Sequence, residues 1–189
     1  MNEDERAVPF TLWKKSGVTE HLGGQEATQH LIDGCSRVAG EYVLDAGCGT
    51  GHTATYLAEK YQVTAVGLDL MPEAVRATRR RADATDLTNT ILPVQGDVAS
   101  LPFTTGSFDC VFAESLLVFC SAPHVAAEFR RVLRPGGRLG VNELTLLAPA
   151  AYSLQTLLAR HRRVQAKLVR LTRLSRSNIH IKGTTVAVI

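Results

Sequence analysis

Short β-rich apolar runs alternate along this chain with longer stretches of helical periodicity, and that alternation restricts the fold more than any other feature. The runs are 42–47 (YVLDAG), 63–69 (VTAVGLD), 90–95 (TILPVQ), 108–113 (FDCVFA) and 138–145 (RLGVNELT). Each is rich in Val, Leu, Ile or Phe, as strands covered on both faces are. Residues 26–38, 51–61, 72–84 and 122–133 read as helices; the third opens on Pro72 and the last runs into Pro135-Gly136-Gly137. Strand–helix–strand alternation at this spacing demands parallel strands joined by right-handed crossovers, hence an α/β fold with a doubly wound, mainly parallel sheet and helices on both faces. Pro93 cannot donate to a ladder, which places the third strand at an edge.

The first strand runs into VLDAGCGTG at 43–51. In an open α/β sheet, ligands bind beyond the carboxyl ends of the strands, where strand order reverses. Gly47 and Gly49 let the backbone turn with no side chain between it and a ligand, and Gly51 lets the following helix pack close to the strand. A glycine triplet is a weak signal alone; its place after a strand and before a helix gives it weight. Asp69, 18 residues after Gly51 at the end of the second strand, suits the two hydroxyls of a ribose. Its competing reading is a cap for the helix at Pro72. Asp45 lies inside the glycine motif, where a pyrophosphate-binding loop would avoid negative charge. An acidic turn fits a nucleoside with a cationic end, which favours S-adenosyl-L-methionine over NAD.

Five successive segments carry a resemblance: DAGCGTG, the acid Asp69, QGDVASLPF at 95–103, SFDCVFAESLLVF at 107–119 and RVLRPGGRLGVNE at 131–143. In this order they resemble the motifs of class I S-adenosylmethionine-dependent methyltransferases, and the nearest subgroup is similar to the ubiquinone and menaquinone biosynthesis methyltransferases. The resemblance covers residues 40–146 and implies a Rossmann-like fold, S-adenosyl-L-methionine as cofactor, and methyl transfer to a small-molecule acceptor. It implies that Asp45, Gly47 and Gly49 line the methionine end and that Asp69 holds the ribose, with Leu70 and Met71 beside the adenosine. It places Asp97 and Val98 at the adenine edge, and Glu114 with Ser115 between the methionine amino group and the acceptor. Met71 and Val98 also read as plain core residues, and Asp97 as a turn former. For a general base, Glu114 is the candidate, ahead of Glu143 and His52.

The resemblance ends near residue 147, where charge also changes. Residues 1–150 hold 13 Lys and Arg against 18 Asp and Glu, giving −5, whereas 151–189 hold 8 basic residues and no acid. Three regions follow: a helical lead-in (1–39), the cofactor-binding core (40–147) and a basic tail (148–189) within the same domain. Leu154, Leu157, His161, Val164, Leu168 and Leu171 recur at helical spacing, predicting an amphipathic helix over 152–174. Runs 179–181 and 184–189 would then form a reduced closing hairpin. Such a tail reads as a crossover helix, as a contact for anionic membrane or an acidic partner, or as a terminus that leaves the acceptor site incomplete. The last would make the chain a cofactor-binding protein without turnover. A leucine face that finds no internal cover would favour a homodimer. Nucleic acid is not an expected partner, because the body is acidic and no aromatic residue interleaves the tail arginines. The four cysteines show neither metal-ligand nor disulfide spacing, and no signal or membrane-spanning segment is legible, so a reduced cytoplasmic protein is expected. Trp13 and His21, in the lead-in, are candidates for shaping the acceptor pocket.

Overall fold

The computed structural model describes residues 24–35, 39–117, 120, 122–143, 165–169 and 184–188. The elements are α1 (Gly24–Gly34), β1 (Tyr42–Ala46), α2 (His52–Tyr61), β2 (Thr64–Asp69), α3 (Pro72–Ala84), β3 (Ile91–Gln95), β4 (Phe108–Glu114), α4 (Ala122–Val132), β5 (Leu133–Asn142), β6 (Gln165–Val169) and β7 (Thr184–Val188). They build one sheet in the order β3-β2-β1-β4-β5-β7-β6. The first five strands are parallel; β7 pairs antiparallel with both β5 and β6. Strand order therefore reverses between β1 and β4, and β3 with Pro93 is an edge strand, as expected.

Side-chain alternation divides the core between the faces. Leu44, Ala46, Val66, Leu68, Val111 and Ala113 point to the side covered by Val125, Phe129 and Val132 of α4. Val43, Cys110 and Phe112 point the other way, onto Leu31, Ile32 and Cys35 of α1 and Leu57 of α2. On that same face, Ala82 of α3 joins Ala54, Ala58 and Ala65. The helices follow from these patterns. Buried Ala27, Thr28, Leu31 and Ile32 give α1 one apolar stripe, and buried Ala74, Thr78 and Ala82 give α3 a narrow stripe of small residues that lets it lie close to the sheet.

Two expectations are corrected. The helix expected over 152–174 gives way to a strand at Gln165–Val169. Leu168 fits both a three- and four-residue helical spacing and the two-residue alternation of QAKLV, so periodicity could not separate them. What decides is the open edge beyond β5, whose backbone groups need partners: Thr184–Val188 pairs along Arg138–Asn142, and Gln165–Val169 pairs along the next edge. The closing pair is thus 165–169 with 184–188, each strand as long as β1 or β3. The run 179–181 and the remainder of the tail helix lie outside the described residues, as do Trp13 and His21. The fifth strand also differs, beginning at Leu133 and ending at Asn142. Its ladder with β4 jumps from Phe108–Leu133 to Cys110–Arg138, so the Pro-Gly-Gly segment bulges out between.

Candidate active site

Three carboxylates meet at the carboxyl ends of three adjacent parallel strands, at the point where strand order reverses. Asp45 on β1 is in register with Gly67 of β2 and Phe112 of β4. Two residues further on, hence on the same face, stand Asp69 and Glu114. Asp45 is 3% and Glu114 5% exposed. Asp45 accepts a hydrogen bond from the Ala54 amide at 3.1 Å, which ties the carboxylate to the first turn of α2. Burial, with the neighbouring negative charges of Glu114 and Asp69 adding to it, pushes the Asp45 carboxyl up from 3.8 to about 8.

Asp69 ends β2. Its Oδ2 accepts the Gly49 amide at 3.0 Å and its Oδ1 the Met71 amide at 2.9 Å. Burial raises this carboxyl also, and those amides pull it back. The Met71 bond is a local turn contact to the residue before Pro72 rather than to an amide of the first turn of α3, so it does not make Asp69 the helix cap. The Leu70 amide adds a third backbone contribution, and the acceptor capacity left on the carboxylate is what ribose hydroxyls would use.

The glycine turn between β1 and α2 is anchored by its backbone amides to the end of β2. The amides of Gly47 and Cys48 donate to Leu68 carbonyl oxygen at 2.8 and 3.0 Å. Gly47 has φ +75, and a Cβ there would lie 2.9 Å from Leu116 Cδ1. Gly51 has φ +77, and a Cβ there would lie 2.7 Å from Thr78 Cγ2. The close approach that Gly51 permits is therefore to α3, rather than to the strand as the sequence reading had it.

Glu114, the candidate base, is bound on both oxygens. Thr53 Oγ1 donates to Oε1 at 3.0 Å, while Thr28 Oγ1 at 2.8 Å and Asn142 Nδ2 at 3.3 Å donate to Oε2. It thereby joins α1, α2, β4 and β5 in one buried polar network. Glu143, 7% exposed, accepts the amides of Leu116 and Leu117 on Oε1, both at 2.5 Å. His52 is exposed, and its Nε2 lies 2.8 Å from Arg81 Nη2. Thr28, Thr53, Asn142 and Leu116 are the site members that sequence reasoning missed; only the place of Thr53 in the turn after the glycines hinted at one of them.

The outer half of the site lies beside Asp69. Leu70 is 41% exposed, and its carbonyl accepts Gln95 Nε2 at 3.3 Å. Gly96 donates to the Asp69 carbonyl at 3.0 Å, which brings the end of β3 alongside. Asp97 accepts the Ala99 amide at 2.8 Å in a tight turn, and Val98 is buried in the apolar cluster with Leu68 and Leu101. The sequence also holds a Tyr-x-x-x-Lys spacing, the pattern of many nicotinamide dehydrogenases, at Tyr56 and Lys60. Lys60 Nζ lies 2.7 Å from Tyr56 Oη, and both bond to Gln29 of α1. This trio ties α2 to α1.

A family model described as a methyltransferase domain matches residues 43–137. The chain is 32% identical over 163 residues to the 27-O-demethylrifamycin SV methyltransferase of Amycolatopsis mediterranei, covering 84% of this chain and 60% of that protein. It is 39% identical over 116 residues to the nocamycin O-methyltransferase of Saccharothrix syringae, covering 60% of this chain and 41% of that protein. The chain thus spans roughly half the length of the curated relatives it matches. Its fold superposes on that of a geranyl diphosphate methyltransferase solved with S-adenosylmethionine, with a TM-score of 0.74 at 17% identity over 85% of this chain and 83% of the other. With residues 43–137 matched from the first strand to the bulge in β5, this chain belongs to the methyltransferase domain family.

Proposed function

We propose that this protein moves the methyl group of S-adenosylmethionine to a small-molecule acceptor. The observation that carries the reading is the trio Asp45, Asp69 and Glu114, gathered on one face at the switch point of the sheet. When bound, S-adenosylmethionine supplies an electrophilic methyl on a sulfonium, so the C–S bond breaks as the bond to the acceptor forms and a neutral thioether remains. The residues here fit such a group. Asp69 offers its remaining carboxylate acceptor capacity to the ribose hydroxyls, and half-exposed Leu70 offers an apolar surface beside it, with Met71 following. Asp97 and the backbone of Val98 stand next to the end of β3, where an adenine edge would lie. Gly47 and Gly49 add no side chain of their own to the turn, the Glu114 carboxylate supplies a negative field for a cationic methionine end, and Asp45, which holds its proton up to about pH 8, can ionise as that cation approaches.

In this reading Glu114 is a positioning residue rather than a base. Its oxygens hold Thr28, Thr53 and Asn142, which fixes α1 and α2 against the site. An in-line displacement from a sulfonium asks mainly for alignment and exclusion of water, and needs a base only for an acceptor that enters protonated. Relatives carry O-methyltransferase in their names, so small molecules whose hydroxyl ionises readily, releasing its proton to solvent before transfer, are the first class to try. Pairing of β7 with both β5 and β6 completes the sheet and supports turnover over mere cofactor binding. The free cysteines Cys35, Cys48, Cys110 and Cys120 fit a reducing compartment such as the cytoplasm.

Incubation with S-adenosylmethionine labelled on its methyl group and a panel of phenols, alcohols and carboxylic acids tests the reading. Labelled product together with S-adenosylhomocysteine is expected from at least one acceptor class. Tight S-adenosylhomocysteine binding with no transfer to any acceptor would favour the non-catalytic alternative.

A further inference from the structure

The chain leaving β4 is held by the end of β5 through three successive amides. Ser115 turns out of the strand with φ +54, a conformation few residues other than glycine adopt, and its amide donates to the Asn142 carbonyl at 2.8 Å. The amides of Leu116 and Leu117 then both donate to Glu143 Oε1. Cys120 closes the segment, its Sγ 3.5 Å from the Leu116 carbonyl oxygen. The result is that the Leu116 side chain lies directly on Gly47: a Cβ there would meet Leu116 Cδ1 at 2.9 Å, Cγ at 3.5 Å and Cβ at 3.6 Å. An ionised carboxylate that accepts two neighbouring amides is a strong and directional clamp. A strained backbone residue persists only where its surroundings determine it.

We propose that Glu143 is a positioning residue that sets the 115–117 segment, and through Leu116 fixes the wall over Gly47 against which the methionine half of the cofactor lies. The inference rests on the cofactor reading given above. It divides the site into two separately tunable halves: a ribose half organised by Asp69, and a methionine half whose wall is hung from β5. In this role Glu143 acts through the two amides rather than by touching the cofactor or the acceptor.

The two halves can be probed with two ligands. S-adenosylhomocysteine fills both, whereas adenosine fills the ribose half alone. Glu143→Ala should weaken S-adenosylhomocysteine about tenfold while leaving adenosine within about twofold, the scale expected when charge-assisted bonds that order a segment are removed. Glu143→Gln, which keeps an acceptor oxygen, should restore most of the loss. Amide hydrogen exchange should show protection lost at Leu116 and Leu117 in the Ala variant, regained in the Gln variant and unchanged along β1 and β4. Should Glu143→Ala fail to fold, Leu116→Ala removes the wall while leaving the clamp, and it should reproduce the same split between the ligands. Equal weakening of both ligands, or S-adenosylhomocysteine affinity unchanged in a variant whose two amides have lost protection, would overturn the inference alone. A parent protein that binds neither ligand would overturn the cofactor reading and the inference with it.

Discussion

Asp45 keeps its proton in the folded protein up to about pH 8, whereas an unfolded chain loses it near the ordinary value of 3.8. Between those values the folded state holds the extra proton, so this residue makes stability fall as pH rises from about 4 to 8. Asp45→Asn removes the ionisation while keeping an oxygen for the Ala54 amide. Its melting temperature should therefore draw ahead of the parent's as pH rises, by a stability difference on the order of 5 kcal/mol once the parent's Asp45 is ionised. A gap that stays constant across that range, read by thermal unfolding in matched buffers, would contradict the assignment. Above about pH 8, where the parent's Asp45 is ionised, the same variant should bind S-adenosylmethionine more weakly, since it lacks that negative charge, so stability and binding trade against each other there. The places of Asp45 and Asp69 near neighbouring strand ends were legible in the sequence because each lies at the end of a short apolar run. The true setting of Glu114 was not legible. Its partners Thr28, Thr53 and Asn142 stand 86, 61 and 28 residues away, and nothing local marks a threonine as the donor to a distant carboxylate.

At the scale of elements, the site depends on how closely α2 and α3 approach each other at the glycine turn. Thr78 on the small-residue stripe of α3 sits against Gly51 and also donates to the Gly49 carbonyl at 3.2 Å. Gly51→Ala forces an L-residue into the left-handed region, costing about 1–2 kcal/mol, before the contact with Thr78 is counted. Adding Thr78→Ala should relieve the contact, so the double variant should be less destabilised than the sum of the two single ones in urea unfolding. Additive effects would mean that the helices do not meet as described. Elements whose periodicity is unambiguous, such as β1, α3 and β4, were readable to within a residue or two. Gln165–Val169 was not, because its spacing satisfied a helix equally well and only pairing across the sheet made it a strand.

The whole molecule is a sheet that presents acids at its switch point and closes its far side with an antiparallel pair. Among the described residues, no helix is long and apolar enough to cross a membrane. The parallel order was legible from alternation alone; the order β5-β7-β6 was not, since the closing strands come from distant, weakly patterned stretches. The central claim is that this switch point recognises an adenosyl group bearing a cationic methionine end, with Asp69 on the ribose. Calorimetric titration of the parent and of Asp69→Asn with S-adenosylmethionine tests it most directly, with NAD as the competing ligand. A single site for S-adenosylmethionine on the parent, no heat from NAD, and a loss of roughly a hundredfold in the variant are expected, the scale for removing a charged acceptor of buried hydroxyls. Equal affinity in the two proteins, or binding of NAD in place of S-adenosylmethionine, would contradict it.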